Sequence, residues 1–326
     1  MDADAAIRTR DLTKAYPKVT ALDGLDLEVM RGEVFGYIGP NGAGKSTTIR
    51  LLLDLLRPTR GSAEILGMDV RRRGVEVRRR LGYLAGELAL YEESSGRELL
   101  TFLARLRGGV ERSWVAALAD RFGLPLDRPI RELSKGNKQK VGLIQAFMHR
   151  PEVLILDEPT SGLDPLLQRT FHELVAEASA EGATVLLSSH VLSELEHVAD
   201  RVAMIRAGRL LAVERIEDLK RSAPRKVAVT FAAPVPPDGF AGLPGVSDVD
   251  VRGALARFTV HGGMDAVVKA IARHEVVSLT AQEPELEELF LDRYDARGAQ
   301  GGPPGEDRPA GGASRTDARD AGSADA

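Results

Sequence analysis

Cysteine is absent from the 326-residue chain, which excludes disulfide frameworks, thiolate nucleophiles, iron–sulfur clusters and cysteine-based zinc sites. Long hydrophobic runs are absent too. The longest apolar stretches, such as Val153-Leu154-Ile155-Leu156, fall far short of the roughly 18 residues that a membrane span needs. The opening MDADAAIRTR has no apolar core behind a basic end, so no export signal is expected and a soluble, cytoplasmic chain is. Charge of one sign is not in excess. With 44 basic and 48 acidic side chains the formal charge is -4, which argues against binding nucleic acid through bulk electrostatics. Arg297 to Ala326 contains no Val, Ile, Leu or aromatic residue. Such a segment cannot bury enough apolar surface to offset its ordering entropy, and residues 296–326 are expected to be a disordered tail.

What remains is ordinary for a globular protein, with 43% apolar and 28% charged residues, and its length favours two domains. Within residues 6–220, Val34 to Ile38 reads as a buried strand, followed by a glycine loop and an amphipathic helical run from Lys45 to Leu56. Val153–Leu156 and Thr184–Leu187 read as further strands, separated by a helical pattern over Pro165–Ala180. Strands spaced by helices of this length imply a parallel sheet covered on both faces. Ile7–Lys14 and Leu25–Met30 look like half-buried strands of an antiparallel start, and Ser95–Arg150 reads as an inserted helical subdomain. Residues 225–295 form a second, small α+β domain. Its expected strands are Lys226–Phe231, Val246–Val251, Ala256–Val260 and Val276–Thr280, with a hairpin turn at Arg252-Gly253. Its expected helices are Met264–His274 and Pro284–Tyr294.

Gly39-Pro40-Asn41-Gly42-Ala43-Gly44-Lys45-Ser46, continuing into Thr47, fits G-x-x-x-x-G-K-[ST] directly after a strand and at the start of a helix. The glycines let backbone amides curl around phosphate oxygens, and the helix N-terminus adds partial positive charge. Lys45 is placed to reach the β- and γ-phosphates, and the Ser46 hydroxyl to bind Mg²⁺. The pattern therefore predicts a nucleotide site. Val153-Leu154-Ile155-Leu156-Asp157-Glu158 delivers two carboxylates to the tip of a buried strand, where open α/β sheets bind ligands. Asp157 suits Mg²⁺ through water, and Glu158 suits the base that orients and deprotonates an attacking water.

These motifs are shared by many nucleotide hydrolases. Leu133-Ser134-Lys135-Gly136-Asn137-Lys138-Gln139 before the second strand, Ser161-Gly162-Leu163-Asp164 after it, and a histidine after the next strand narrow the choice. With these motifs in this order the chain resembles the ATPase subunit of ATP-binding cassette (ABC) transporters over about residues 6 to 220. The resemblance implies a P-loop α/β fold with a parallel sheet core, an N-terminal antiparallel β subdomain and an inserted helical subdomain. It also implies ATP and Mg²⁺ as ligands. Carried over residue by residue, Tyr16 matches the aromatic that stacks on adenine, Gly39 to Thr47 the phosphate loop, Asp157 the magnesium aspartate and Glu158 the catalytic base. Ser134, Lys135, Gly136 and Asn137 match the signature loop, which in the family contacts the γ-phosphate bound by the other protomer. Asp164 matches the loop that links the two sites, and His190 the switch histidine.

Two departures stand out. Lys135 and Asn137 occupy positions where the family usually has glycine and often glutamine, both compatible with a helix-capping loop. More consequentially, Gly86 stands where the family places a glutamine that senses Mg²⁺ and water, with Glu87 next to it as the candidate substitute. The small second domain makes the chain look like the ATPase of drug and antibiotic exporters, whose permease is a separate membrane chain. The expectation is an ATP hydrolase that dimerises on ATP binding, as homodimer or heterodimer, at the cytoplasmic face of the membrane. Its movement would pass to the permease near Gly86–Tyr91. The competing expectation, a soluble cassette acting on nucleic acid or ribosomes, lacks the second cassette, coiled coils or zinc modules usual there. Of six histidines, only His190 sits in a motif. The arginine clusters 71–73 and 78–80 are read as a solvated face.

Overall fold

The computed structural model describes residues 5–236 and 239–282. Strands β1 (Ala5–Tyr16), β2 (Val19–Met30) and β3 (Val34–Ile38) lead to helix α1 (Lys45–Leu52). Next come β4 (Arg60–Ile65), β5 (Met68–Asp69), α2 (Gly74–Arg79) and β6 (Leu81–Leu84). The helical insertion holds α3 (Gly96–Leu106), α4 (Arg112–Arg121) and α5 (Lys135–Phe147). Then follow β7 (Val153–Asp157), α6 (Pro165–Ala180), β8 (Thr184–Ser189), α7 (Leu192–Leu195), β9 (Arg201–Arg206), β10 (Arg209–Arg215) and α8 (Ile216–Ser222). The second unit comprises β11 (Arg225–Phe231), β12 (Val246–Arg252), β13 (Leu255–Val260), α9 (Asp265–Ile271) and β14 (Val276–Gln282).

The central sheet has the order β10-β9-β3-β8-β7-β6. All its pairings are parallel except that of β10 with β9. Both faces are covered, so β7 and β8 read as unbroken apolar runs and every residue of each is buried. Alternate side chains nevertheless go to different layers. Val153 and Ile155 join Phe35, Tyr37 and Ile49 in one core, between the sheet, α1 and the antiparallel strands. Leu154 and Leu156 join Leu143, Phe147 and Phe171 in the other, under the helical insertion. The insertion opens with a capping box: Ser95 caps α3 and the Glu98 carboxylate accepts from the Ser95 amide at 2.8 Å.

Three expectations are corrected. The antiparallel start grows from two strands to the four-stranded sheet β2-β1-β4-β5, with β2 beginning at Val19. Helix α1 ends at Leu52, not Leu56, because Asp54 turns left-handed (φ 57) and the Leu55 amide returns to the Arg50 carbonyl at 2.8 Å. The apolar periodicity runs on past this stop because Leu56 still packs on the core. Helix α9 covers Asp265–Ile271, less than the Met264–His274 expected. The parallel sheet core is as expected, with one antiparallel edge strand, β10, beside β9. In the second unit the sheet order is β12-β13-β11-β14, and Gly253 takes the positive φ of 62 that its turn requires. The expected helix Pro284–Tyr294 and the tail lie outside the described residues.

Candidate nucleotide-binding site

Strand β3 ends at Ile38 and the chain turns directly into the glycine loop. Gly39 passes so close to β9 that a Cβ there would sit 2.3 Å from the Ile205 carbonyl oxygen. Gly44, at φ 114 ahead of Lys45, occupies backbone space that an L side chain resists. The loop folds around the Lys45 ammonium, which donates to the Gly39 carbonyl at 2.6 Å and lies 3.8 Å from Glu158 Oε1. Burial pushes the Lys45 ammonium below its ordinary pKa, and the Glu158 and Asp157 carboxylates pull it partly back. A pocket of about 170 Å³ is lined by Ala21, residues 40–47 and Glu158.

Strand β8 lies between β3 and β7, so its tip meets both halves of the site. Ser188 Oγ donates to Asp157 Oδ1 at 2.5 Å and accepts from the Glu158 amide at 3.2 Å. Glu158 is held at φ 50, a left-handed conformation costing about 1–3 kcal/mol for a residue with a side chain. Gln139 of α5 secures the same turn by donating to the Pro159 carbonyl at 3.1 Å. Glu158 Oε2 lies 2.6 Å from His190 Nδ1. Sequence reasoning alone misses Ser188 and Gln139. The available signal was polar residues at the end of a buried strand and beside the signature helix.

The expected residues thus fall into groups. Lys45, Asp157, Glu158 and His190 come together with the phosphate loop. Ser134 and Lys135 are exposed, Gly136 and Asn137 half-buried. Ser134 caps α5, its hydroxyl accepting from the Asn137 amide at 3.3 Å. Gly136 packs on the Asp164 loop so tightly that a Cβ would lie 2.8 Å from the Gly162 carbonyl oxygen. Exposed Asp164 caps α6, accepting from the Leu166 and Leu167 amides at 3.0 Å. These loops do not line the phosphate pocket of their own chain. Tyr16 is 42% exposed at the end of β1, with Lys14 Nζ 4.9 Å from its ring centre, and is not a wall of that pocket either.

Gly86 faces Asp157: a Cβ at this position would meet Oδ2 at 3.3 Å. It is not among the residues with positive φ, so the backbone conformation there does not itself require glycine. Glu87 is exposed beside it. Of the arginine clusters, Arg73 pairs with Glu76, Arg78 with Asp54 and Arg80 with Glu152. His149 is a structural histidine, its Nε2 3.2 Å from the Leu81 carbonyl oxygen. Trp114 packs half-buried against the core with Arg150 over its ring.

A phosphate loop between a central parallel strand and its helix, with an acidic pair two strands away on the same sheet, defines a P-loop nucleotide-binding protein. Comparison with known proteins narrows this class. Residues 22–161 match the ABC transporter family. The chain is 39% identical over 311 residues to the daunorubicin resistance ATP-binding protein DrrA3 of Streptomyces coeruleorubidus, covering 89% of this chain and 96% of that one. It is 37% identical over 222 residues to the probable multidrug ABC transporter ATP-binding protein YbhF of Escherichia coli, covering 67% of this chain but spanning only 38% of that protein. A solved ATP-binding subunit of an ABC transporter is 35% identical with a TM-score of 0.62, over 66% of this chain and 92% of that one. The chain belongs to the ATP-binding proteins of the ABC transporter family.

Proposed function

We propose that the protein binds and hydrolyses ATP to drive export through a separate membrane permease. The observation that carries this reading is the continuous link of Lys45, Glu158 and His190 at the floor of the phosphate loop. Lys45 would exchange its loop carbonyl for the β- and γ-phosphates. Glu158 would take a proton from water as the water oxygen bonds the γ-phosphorus and the bond to the bridging oxygen breaks, leaving ADP and phosphate. His190, donating from Nδ1, orients that carboxylate. The donor set fits Mg²⁺: the Ser46 hydroxyl is exposed at the helix start, and Asp157 keeps Oδ2 open toward Gly86 while Oδ1 is tied to Ser188. Bound there, the ion supplies charge neutralisation on the phosphates.

The outward-facing Ser134 and Asp164 loops support a sandwich in which each serves the nucleotide of a second cassette. The likeness to DrrA3, a daunorubicin resistance protein, supports a drug or antibiotic as cargo, and a cassette that drives a separate permease would sit peripherally on the cytoplasmic face of the membrane. Among the described residues no helix is long and apolar enough to cross a membrane. We assign residues 6–220 to the cassette and 225–295 to an accessory domain, and Glu87 to a polar contact made when the permease engages. The test is Glu158→Gln, expected to lower turnover by roughly 10²–10⁴-fold, the usual worth of a general base, while ATP still binds by equilibrium titration. Unchanged turnover would remove the base.

A further inference from the structure

The last two residues of β8 are serines, both buried to within 1%. Successive strand residues point to opposite faces, and each hydroxyl meets a different carboxylate. Ser188 serves Asp157, whereas Ser189 Oγ donates to Glu194 Oε2 at 2.5 Å and accepts from the Val191 amide at 3.0 Å. These bonds enclose His190, the residue between them and the short helix. That helix, α7, is a single turn of four residues with no side-chain cap, too short to be stable by its own hydrogen bonds. Leu192 and Leu195 anchor it in the core. What fixes the turn ahead of it is the Ser189 hydroxyl, whose one hydrogen goes to Glu194 and whose lone pair is thereby left for Val191.

We propose that Glu194 is a positioning residue for hydrolysis. By accepting the Ser189 hydroxyl hydrogen it closes the turn that carries His190 and holds the imidazole against Glu158. The inference rests on the roles given above to Glu158 and His190. His190 is itself half exposed, so burial alone does not fix its ring. Without the Glu194 carboxylate the buried Ser189 hydroxyl loses its acceptor and the turn opens. A displacement near 1 Å at the reacting group costs on the order of 10²-fold in rate, which bounds the effect. A second account is open to the same carboxylate. Glu194 acts electrostatically on His172 of α6, which stacks on His197 with ring centres 6.0 Å apart, so it could serve only to pack α6 against α7.

The two accounts separate in kinetics of the full-length chain. Glu194→Ala should lower kcat about tenfold or more, within the 10²-fold bound, with ATP affinity unchanged. Glu194→Gln, whose amide oxygen still accepts from Ser189, should keep most of the rate. His190→Ala should be slow, and adding Glu194→Ala to it should cost less than about twofold more, because residues acting through one another do not add. Ser189→Ala should reproduce Glu194→Ala and serves in its place if that variant does not fold. The inference is overturned if Glu194→Ala turns over like the wild type, or slows His190→Ala by the same factor as it slows the wild type. If His190→Ala itself turns over normally, the role of His190 falls, and the positioning role with it.

Discussion

Ser188→Ala is a single-atom test of how the site is held. The hydroxyl is fully buried, donates to Asp157 Oδ1 at 2.5 Å and accepts from the Glu158 amide. The amide has a second acceptor, the Ser188 carbonyl at 3.2 Å, so its loss is softened. Asp157 is only 6% exposed, and water cannot easily replace the missing donor. A hydrogen bond to a charged group is worth about 1.5–3 kcal/mol, and we expect about 2–3 kcal/mol of lost stability. At the size of the cassette this corresponds to a fall of about 4–12 °C in Tm. The same change frees Glu158 to leave its left-handed backbone conformation, which moves the base. Turnover should therefore fall about tenfold or more by the misplacement argument, while nucleotide binding without metal stays within about twofold. Thermal scanning and a phosphate-release assay measure both. A Tm within about 1 °C of wild type together with normal turnover would refute the reasoning.

Three further expectations follow from other parts of the molecule. With turnover blocked by Glu158→Gln, ATP should trap a dimer visible by light scattering, and adding Ser134→Arg should abolish it by placing bulk and charge at the cap of α5; an undiminished dimer would contradict the sandwich. Gly86→Val should lower basal hydrolysis by pressing methyl groups on the Asp157 carboxylate, and Glu87→Ala should remove stimulation by reconstituted permease; full stimulation would make Glu87 a solvated carboxylate. Burial pushes the His149 imidazole down to about 4 from 6.5, with Arg107 adding to the shift. The unfolded chain then binds the extra proton, so this stability is complete above pH 6.5 and lost as pH falls toward 4. His149→Gln should flatten the dependence of Tm on pH in that window, and an unchanged slope would count against it.

Legibility from the sequence tracked how local each signal was. Helix α6 is legible to the residue, because Asp164 caps it, Pro165 opens it and its apolar spacing is unbroken. Strands β7 and β8 were legible as apolar runs, but their partition between two cores was not, since it depends on which layer lies on each side. Strands β4, β9 and β10 are not legible because arginine and glutamate sit within them or at their ends and their pairing depends on the fold. In the site, the glycine loop and Asp157-Glu158 were readable from chemistry and spacing. The meeting of Glu158 with His190, 32 residues later, is a product of parallel strand order. Gly86 shows the limit most plainly. The residues show only a missing glutamine there, whereas the structure shows a backbone without positive φ and a close neighbour in Asp157.

The alternation along β7 has a consequence for how the molecule tolerates change. Ile155 and Leu156 are neighbours in the chain, yet they are immersed in separate apolar compartments divided by the sheet itself. A void opened at Ile155 is felt by Tyr37 and Ile49, under the phosphate loop, and one opened at Leu156 by Leu143 and Phe171, under the helical insertion. The sheet is therefore a partition as well as a scaffold: the two halves of the cassette can drift in sequence semi-independently, each repairing its own packing, while the tips of β3, β7 and β8 remain the one line along which they must stay in register.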